Sequence, residues 1–110
     1  MVRGEKTPSF DVRMKVRIVT SGFQDLAEAR AFYSKQGDGV GDYFLDSLSS
    51  EIDSLALFGG IHRIIFGYHR LIAKRFPYAV YYRKSSDEIV VHRVLDCRRA
   101  PEAHKSALQA

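Results

Sequence analysis

The residues best equipped for chemistry lie in the second half of the chain. Arg70, Lys74, Tyr82, Arg98 and Arg99 stand on or beside segments in which polar and apolar residues alternate. Guanidinium groups grip phosphate or carboxylate through two parallel hydrogen bonds, and a tyrosine can stack on a base or fill a partner's pocket. Alternation alone suffices to make a strand, so the choice of cations at the polar places points to an anionic partner. A plainer reading puts Phe76, Tyr78 and Tyr82 in the core beneath helices and leaves the arginines as solubilising groups. The aromatics fit that plainer role better, whereas Arg70 and the Arg98-Arg99 pair fit a functional one.

Other chemistries find less support. His62, His69, His92 and His104 match no compact ligand spacing, and Cys97 has no second thiol, so neither a metal site nor a disulfide is expected. Gly37, Gly39 and Gly41 lack the Lys-Ser/Thr that a phosphate-cradling loop requires after its last glycine; they read as a turn. Asp42 and Asp46 at helical spacing read as a solvated face. Nothing in the chain calls for a cofactor.

Charge is distributed unevenly. The net charge is +4, yet residues 21–60 hold seven acids against Arg30 and Lys35, while residues 61–110 hold ten Lys/Arg against four acids. A basic half suits a negatively charged partner, although a solvated surface with uneven decoration accounts for it equally. No apolar run reaches the ~18 residues of a membrane span. The N-terminus lacks a signal-peptide core, so the expected location is the cytoplasm.

The elements that must position these residues follow from periodicity. Residues 1–13 read as a flexible extension, 14–102 as a single domain and 103–110 as a tail holding at most a weak helical turn. Met14, Val16 and Ile18 alternate with Lys15 and Arg17 in a half-buried strand. Ser21 followed by Gln24 predicts a capping box. Leu26, Ala29 and Tyr33, with Phe23 and Phe32 alongside, then stripe a first helix. The glycines at 37–41 break the pattern. Phe44, Leu48, Ile52 and Leu55 mark a second amphipathic helix that Gly59-Gly60 closes. Residues 61–66 read as either irregular chain or a short strand. Strands follow at 69–75, 78–83 and 88–95, the last rich in β-branched residues and expected in the sheet's centre. The fold class is α+β: an N-terminal strand, an αα-hairpin and a three-stranded antiparallel meander, with the helices on one face.

The runs Tyr68-His69-Arg70-Leu71, Arg75 to Arg83 and Asp87 to Val91, with Val94-Leu95 and Arg98-Arg99-Ala100-Pro101-Glu102, together resemble the RelE/ParE toxin superfamily. The stretches Asp25 to Tyr33, Gly39-Val40-Gly41 and Phe44 to Leu48 resemble its two-helix segment, so the likeness runs from Val16 to Glu102. What it implies is the toxin of a type II toxin–antitoxin (plasmid stabilisation) pair. The Phe76-Pro77-Tyr78 and Arg98-Arg99-x-Pro101 spellings look ParE-like, which implies inhibition of DNA gyrase by protein contact rather than catalysis. The alternative is a RelE-like, metal-independent ribonuclease acting on ribosome-bound mRNA through Arg70, Arg98, Arg99 and His104. Against it, Ala79 occupies a place where such nucleases carry arginine, and only His104 is available to shuttle protons. A second alternative is an inactive relative that only binds. Each version implies an acidic, largely disordered antitoxin that folds on the toxin. Phe32, Tyr33 and Phe58 are its candidate anchors beside the cations.

Overall fold

The computed structural model describes residues 13–109. The expected flexible extension lies outside the described residues, apart from Arg13. The chain runs β1 (Lys15–Ile18), α1 (Thr20–Ser34), α2 (Val40–Asp53), α3 (Leu55–Phe58), β2 (Ile64–Ile65), β3 (Tyr68–Ile72), β4 (Tyr78–Lys84), β5 (Glu88–Asp96) and α4 (Pro101–Gln109). The five strands form one sheet in the order β1-β5-β4-β3-β2. Only the β1–β5 pairing is parallel, reached by a long connection that holds the helices and the other strands; the rest is an antiparallel meander. β5 is interior, as its Ile-Val-Val run suggests, but β4 is the middle strand. No helix among the described residues is long and apolar enough to cross a membrane.

The α-hairpin covers one face of the sheet. Leu26 and Ala29 of α1, Phe44, Leu48 and Ile52 of α2 and Leu55 of α3 pack on Leu71, Val80, Tyr82, Ile89, Val91 and Val94. The i, i+4 spacing of the α2 residues places them all on one side, and each is at most 2% exposed. Gly39, at φ 79°, opens α2 in a conformation that suits glycine. Gly41 lets α1 and α2 approach closely, since a Cβ there would stand 2.7 Å from the Arg30 carbonyl oxygen.

Two sequence expectations differ from the structure. The predicted capping box does not form. Val19 precedes the first turn of α1 without a side-chain cap, and the Ser21 hydroxyl donates to the His92 carbonyl instead. β1 ends opposite Val91, so the neighbouring β5 backbone needs a partner that Ser21 supplies. The tail, in turn, is a nine-residue helix. α4 crosses the opposite face of the sheet, where Leu108 packs with Tyr68, Ala79, Tyr81 and Leu95.

A β-bulge explains how β5 serves both faces. Tyr82 opposes Val91 and Tyr81 opposes Arg93, so His92 is an extra residue. Ile89 and Val91 face the hairpin before the bulge, and the odd-numbered alternation then gives way to Val94. Arg93 is thereby released from the hairpin core. Its Nε and Nη2 lie 2.7 and 2.8 Å from the Asp25 carboxylate, and its Nη1 donates to the Ala107 carbonyl of α4. Asp25 Oδ2 also accepts the Val94 amide at 2.9 Å. One carboxylate thus ties α1 to the strand, and the arginine beneath it ties in α4.

Tyr82 is wholly buried in the hairpin-side core. Its hydroxyl accepts the Gly60 amide and bonds His62 Nδ1, while its ring stacks on His69. Desolvation, then the nearby His69, hold the His62 pKa below the usual histidine value despite the opposing pull of Glu51.

Asp25→Ala strands a largely buried guanidinium and an edge amide, and is expected to cost about 2–4 kcal/mol in urea unfolding. A loss below about 1 kcal/mol contradicts this account. A second expectation concerns pH. His62 and His92 both bind protons less readily folded than unfolded, because burial depresses both pKa values. Their contribution is therefore present above about pH 6.5, the unfolded value, and fades as pH falls through the lower folded values. Urea midpoints measured between pH 7.5 and 5 should decline for the wild type and less steeply for His62→Phe; equal slopes would argue against the His62 contribution.

Candidate functional site

The C-terminal ends of β3 and β5 and the start of β4 meet at one end of the sheet. There the Cys97 amide donates to the Pro77 carbonyl, joining the segment after β5 to the β3–β4 turn. Two clefts open beside that junction, one on each side.

The larger cleft, of about 260 Å³, lies between α1 and the end of the sheet. Phe32 and Tyr78 form its aromatic wall, Val94 and Ala29 its apolar floor, and Glu28, Arg98 and Arg99 its charged rim. Phe32 is 49% exposed and meets Tyr33 edge-on at 5.1 Å. Tyr33 is less free, stacked on Phe44 and edge-on to Phe76. Burial, with Tyr33 close by, pushes the Tyr78 hydroxyl up to about 12, so it is protonated at neutral pH. Arg98 is not free. Its Nε and Nη2 fork onto Asp96 at 2.9 and 2.7 Å, and its amide caps the same carboxylate. That contact holds the Asp96 carboxyl below the usual carboxylate range. The pair is solvent-exposed, so it shapes the turn more than it stabilises the fold.

The smaller cleft, of about 120 Å³, lies on the α4 side. Arg70, Arg99 and Cys97 line it above Ala79 and Tyr81, with Phe66 and Ile72 at the mouth. Arg70 projects to this face because Leu71, next along β3, points into the hairpin core. Arg99 lines both clefts and so stands on the ridge between them. Burial raises the Cys97 thiol, and Arg70, which lines the same cleft, partly opposes the shift.

His104 forms the floor of this second cleft but is 6% exposed and engaged on both nitrogens. Nε2 lies 2.7 Å from the Asp96 carbonyl and Nδ1 2.8 Å from the Tyr81 hydroxyl. A carbonyl can only accept, so the hydrogen-bond pattern assigns the ring hydrogen to Nε2, and Nδ1 accepts from Tyr81. The histidine that the ribonuclease alternative needs as a proton carrier is a docking pin for α4.

The other sequence candidates fall elsewhere. Tyr82 is core and touches neither cleft. Lys74 sits in the β3–β4 turn, lines neither cleft, and its amide donates to Glu51 of α2. Phe58 is 55% exposed on α3. The adjoining Gly59 packs on Ile89 near the start of β5, so Phe58 belongs to the far end of the sheet. Arg70, Arg98, Arg99 and Phe32 are thus brought together at the two clefts, and Lys74, Tyr82 and Phe58 do not join them. Sequence reasoning missed Phe66, Tyr78 as a cleft wall, and the Asp96–Arg98 lock. The Asp-x-Arg spacing was a visible signal for the lock. Among the described residues, no three His, Cys, Asp or Glu side chains come together as a metal site would require.

Comparison with known proteins accords with this fold. The fold is similar to a chain in the structure of a chromosomal ParDE TA system from P. aeruginosa, with a TM-score of 0.67 and 18% identity. The likeness covers 74% of this chain and 94% of that one, and at this identity it bears on the fold alone. No match is found among curated proteins. The family model for the ParE toxin of type II toxin–antitoxin systems, parDE, matches residues 18–101, which contain both helices of the hairpin, the meander, Arg70, Arg98 and Arg99. The chain belongs to the ParE toxin family of type II toxin–antitoxin systems.

Proposed function

We propose that this protein arrests its target by binding rather than by cutting, and that DNA gyrase is the target, with a cognate antitoxin holding it in check. The observation that carries this reading is the state of His104. Cleavage of RNA without a metal needs one group to take the 2′-hydroxyl proton and another to protonate the leaving oxygen. The cationic end of the sheet offers guanidinium groups, which stay charged and do not shuttle protons at neutral pH. The histidine beside them is buried and held on both sides. What remains is a surface suited to docking: Phe32 exposed on one flank, Arg99 on the ridge, and Arg70 on the other flank. The ParE match favours gyrase over mRNA within the wider superfamily that the sequence resembles. The antitoxin is expected to be acidic and to order itself on this surface and on the exposed aromatic side of the α-hairpin, where Phe32 and Tyr33 would anchor it.

Purified protein added to gyrase and relaxed plasmid should block supercoiling, and ribosome-bound mRNA should remain intact in a parallel reaction. Arg99→Glu should raise the inhibitory concentration by about tenfold or more, the effect of losing one charged interface contact, without moving the urea midpoint. His104→Phe should lower stability by about 2–4 kcal/mol, since it leaves a buried hydroxyl and carbonyl unpaired, yet the folded variant should still inhibit. Intact supercoiling together with cut mRNA would overturn the proposal in favour of the ribonuclease.

A further inference from the structure

Four described arginines of this fold are held by carboxylates, and two others line a cleft. Arg17, Arg30, Arg93 and Arg98 each pair with a carboxylate, from Glu88, Asp42, Asp25 and Asp96 respectively. Arg70 and Arg99 have no such partner among the described residues, yet they line the same small cleft, and no acidic residue lines it with them. Two guanidinium groups facing one concave space repel each other, a state that an incoming anion relieves. Their neighbours narrow the choice of anion. Phe66 and Ile72 stand at the mouth, 40% and 52% exposed, and Ala79 and Tyr81 form the floor. Phe66 is held at φ 57°, beside Gly67 at φ 83°, so the tight β2–β3 turn keeps its ring at the cleft rather than folding it away. A nucleic-acid duplex turns phosphates and sugars outward and keeps its bases stacked inside, so it offers these side chains no apolar surface to cover. A peptide in which an acidic residue is flanked by apolar ones satisfies both features. The edge of the sheet leaves room for it, because β2 pairs only with Tyr68 and His69, so that Ile72, paired with Ala79 of β4 on its inner side, has no strand on its outer side.

We propose that the cleft between β3 and the start of α4 is a carboxylate receptor: Arg70 and Arg99 clamp one acidic side chain of an antitoxin segment whose neighbouring apolar residues cover Phe66 and Ile72. The choice of antitoxin as occupant rests on the toxin reading above. The receptor itself rests only on the geometry of this chain. Its consequence is that neutralisation would act at the ridge that carries Arg99, so one bound carboxylate would withdraw the cation from both clefts.

Cys97, the only cysteine in the chain, lines the cleft and supplies the probe. Its rate of reaction with 5,5′-dithiobis(2-nitrobenzoate), whose halves each carry a carboxylate, is compared with its rate toward neutral 4,4′-dithiodipyridine. In the free protein the anionic reagent should be favoured, and the preference should fall about tenfold or more in Arg70→Ala/Arg99→Ala. Arg75→Ala, in the β3–β4 turn and lining neither cleft, should leave it unchanged. Sodium chloride should slow only the anionic reagent in the wild type, a readout that needs no variant to fold. Co-expressed antitoxin from the adjacent reading frame should protect Cys97 from both reagents and bind the double variant at least tenfold more weakly. A reagent ratio indifferent to salt and to the arginines overturns the receptor. Protection by duplex DNA but not by antitoxin, or antitoxin affinity unchanged by the double substitution, overturns the occupant. Should no neighbouring protein bind, the toxin–antitoxin reading fails, and the reagent ratio on the chain alone still decides the receptor.

Discussion

The contact between Asp25 and Arg93 holds the cleft-bearing end of this molecule together. A parallel β1 covers only the first part of β5, so the last residues of that strand would present unpaired amides at the sheet edge. α1 crosses that gap, and Asp25 satisfies the Val94 amide and the Arg93 fork together. Arg93 in turn caps a carbonyl near the end of α4. A helix on each face is therefore anchored to the same short stretch of β5. That stretch leads directly into Cys97, Arg98 and Arg99, so the positions of the cations depend on a carboxylate more than seventy residues earlier.

The bulge at His92 is what makes this contact available. In an uninterrupted strand, the alternation that buries Ile89 and Val91 would aim Arg93 into the hairpin core. Burying an unpaired guanidinium there would cost several kcal/mol or more. The extra residue shifts the alternation, sends Val94 inward and leaves Arg93 at the edge, where both α1 and α4 can reach it. A local irregularity in one strand thus decides how two helices attach.

The site itself is a balance of paired and unpaired cations. Asp96 immobilises Arg98 in the turn, and Asp25 uses Arg93 structurally, so neither has its full charge to offer. Arg70 on β3 and Arg99 just beyond β5 remain, lining one narrow cleft with β4 running between their strands. His104, which a catalytic reading would place among them, serves the packing of α4.

Much of this architecture could be read from the chain alone, because it follows from local periodicity. Phe44, Leu48, Ile52 and Leu55 announce the buried side of the hairpin, and the alternation from Tyr78 to Val91 announces the meander; both rest on the geometry of a single element. Arg70, Arg98 and Arg99 were also legible as the polar exceptions on apolar strands. What periodicity could not convey was which exceptions are already spent. Whether Arg98 is locked, whether Tyr82 and His104 are core, and whether Phe58 shares an end with Phe32 depend on contacts between residues distant in sequence. The same holds for α4, whose weak local pattern becomes a helix because the apolar back of the sheet needs cover. Local patterns determine the elements; only packing decides which charges are left over to meet a partner.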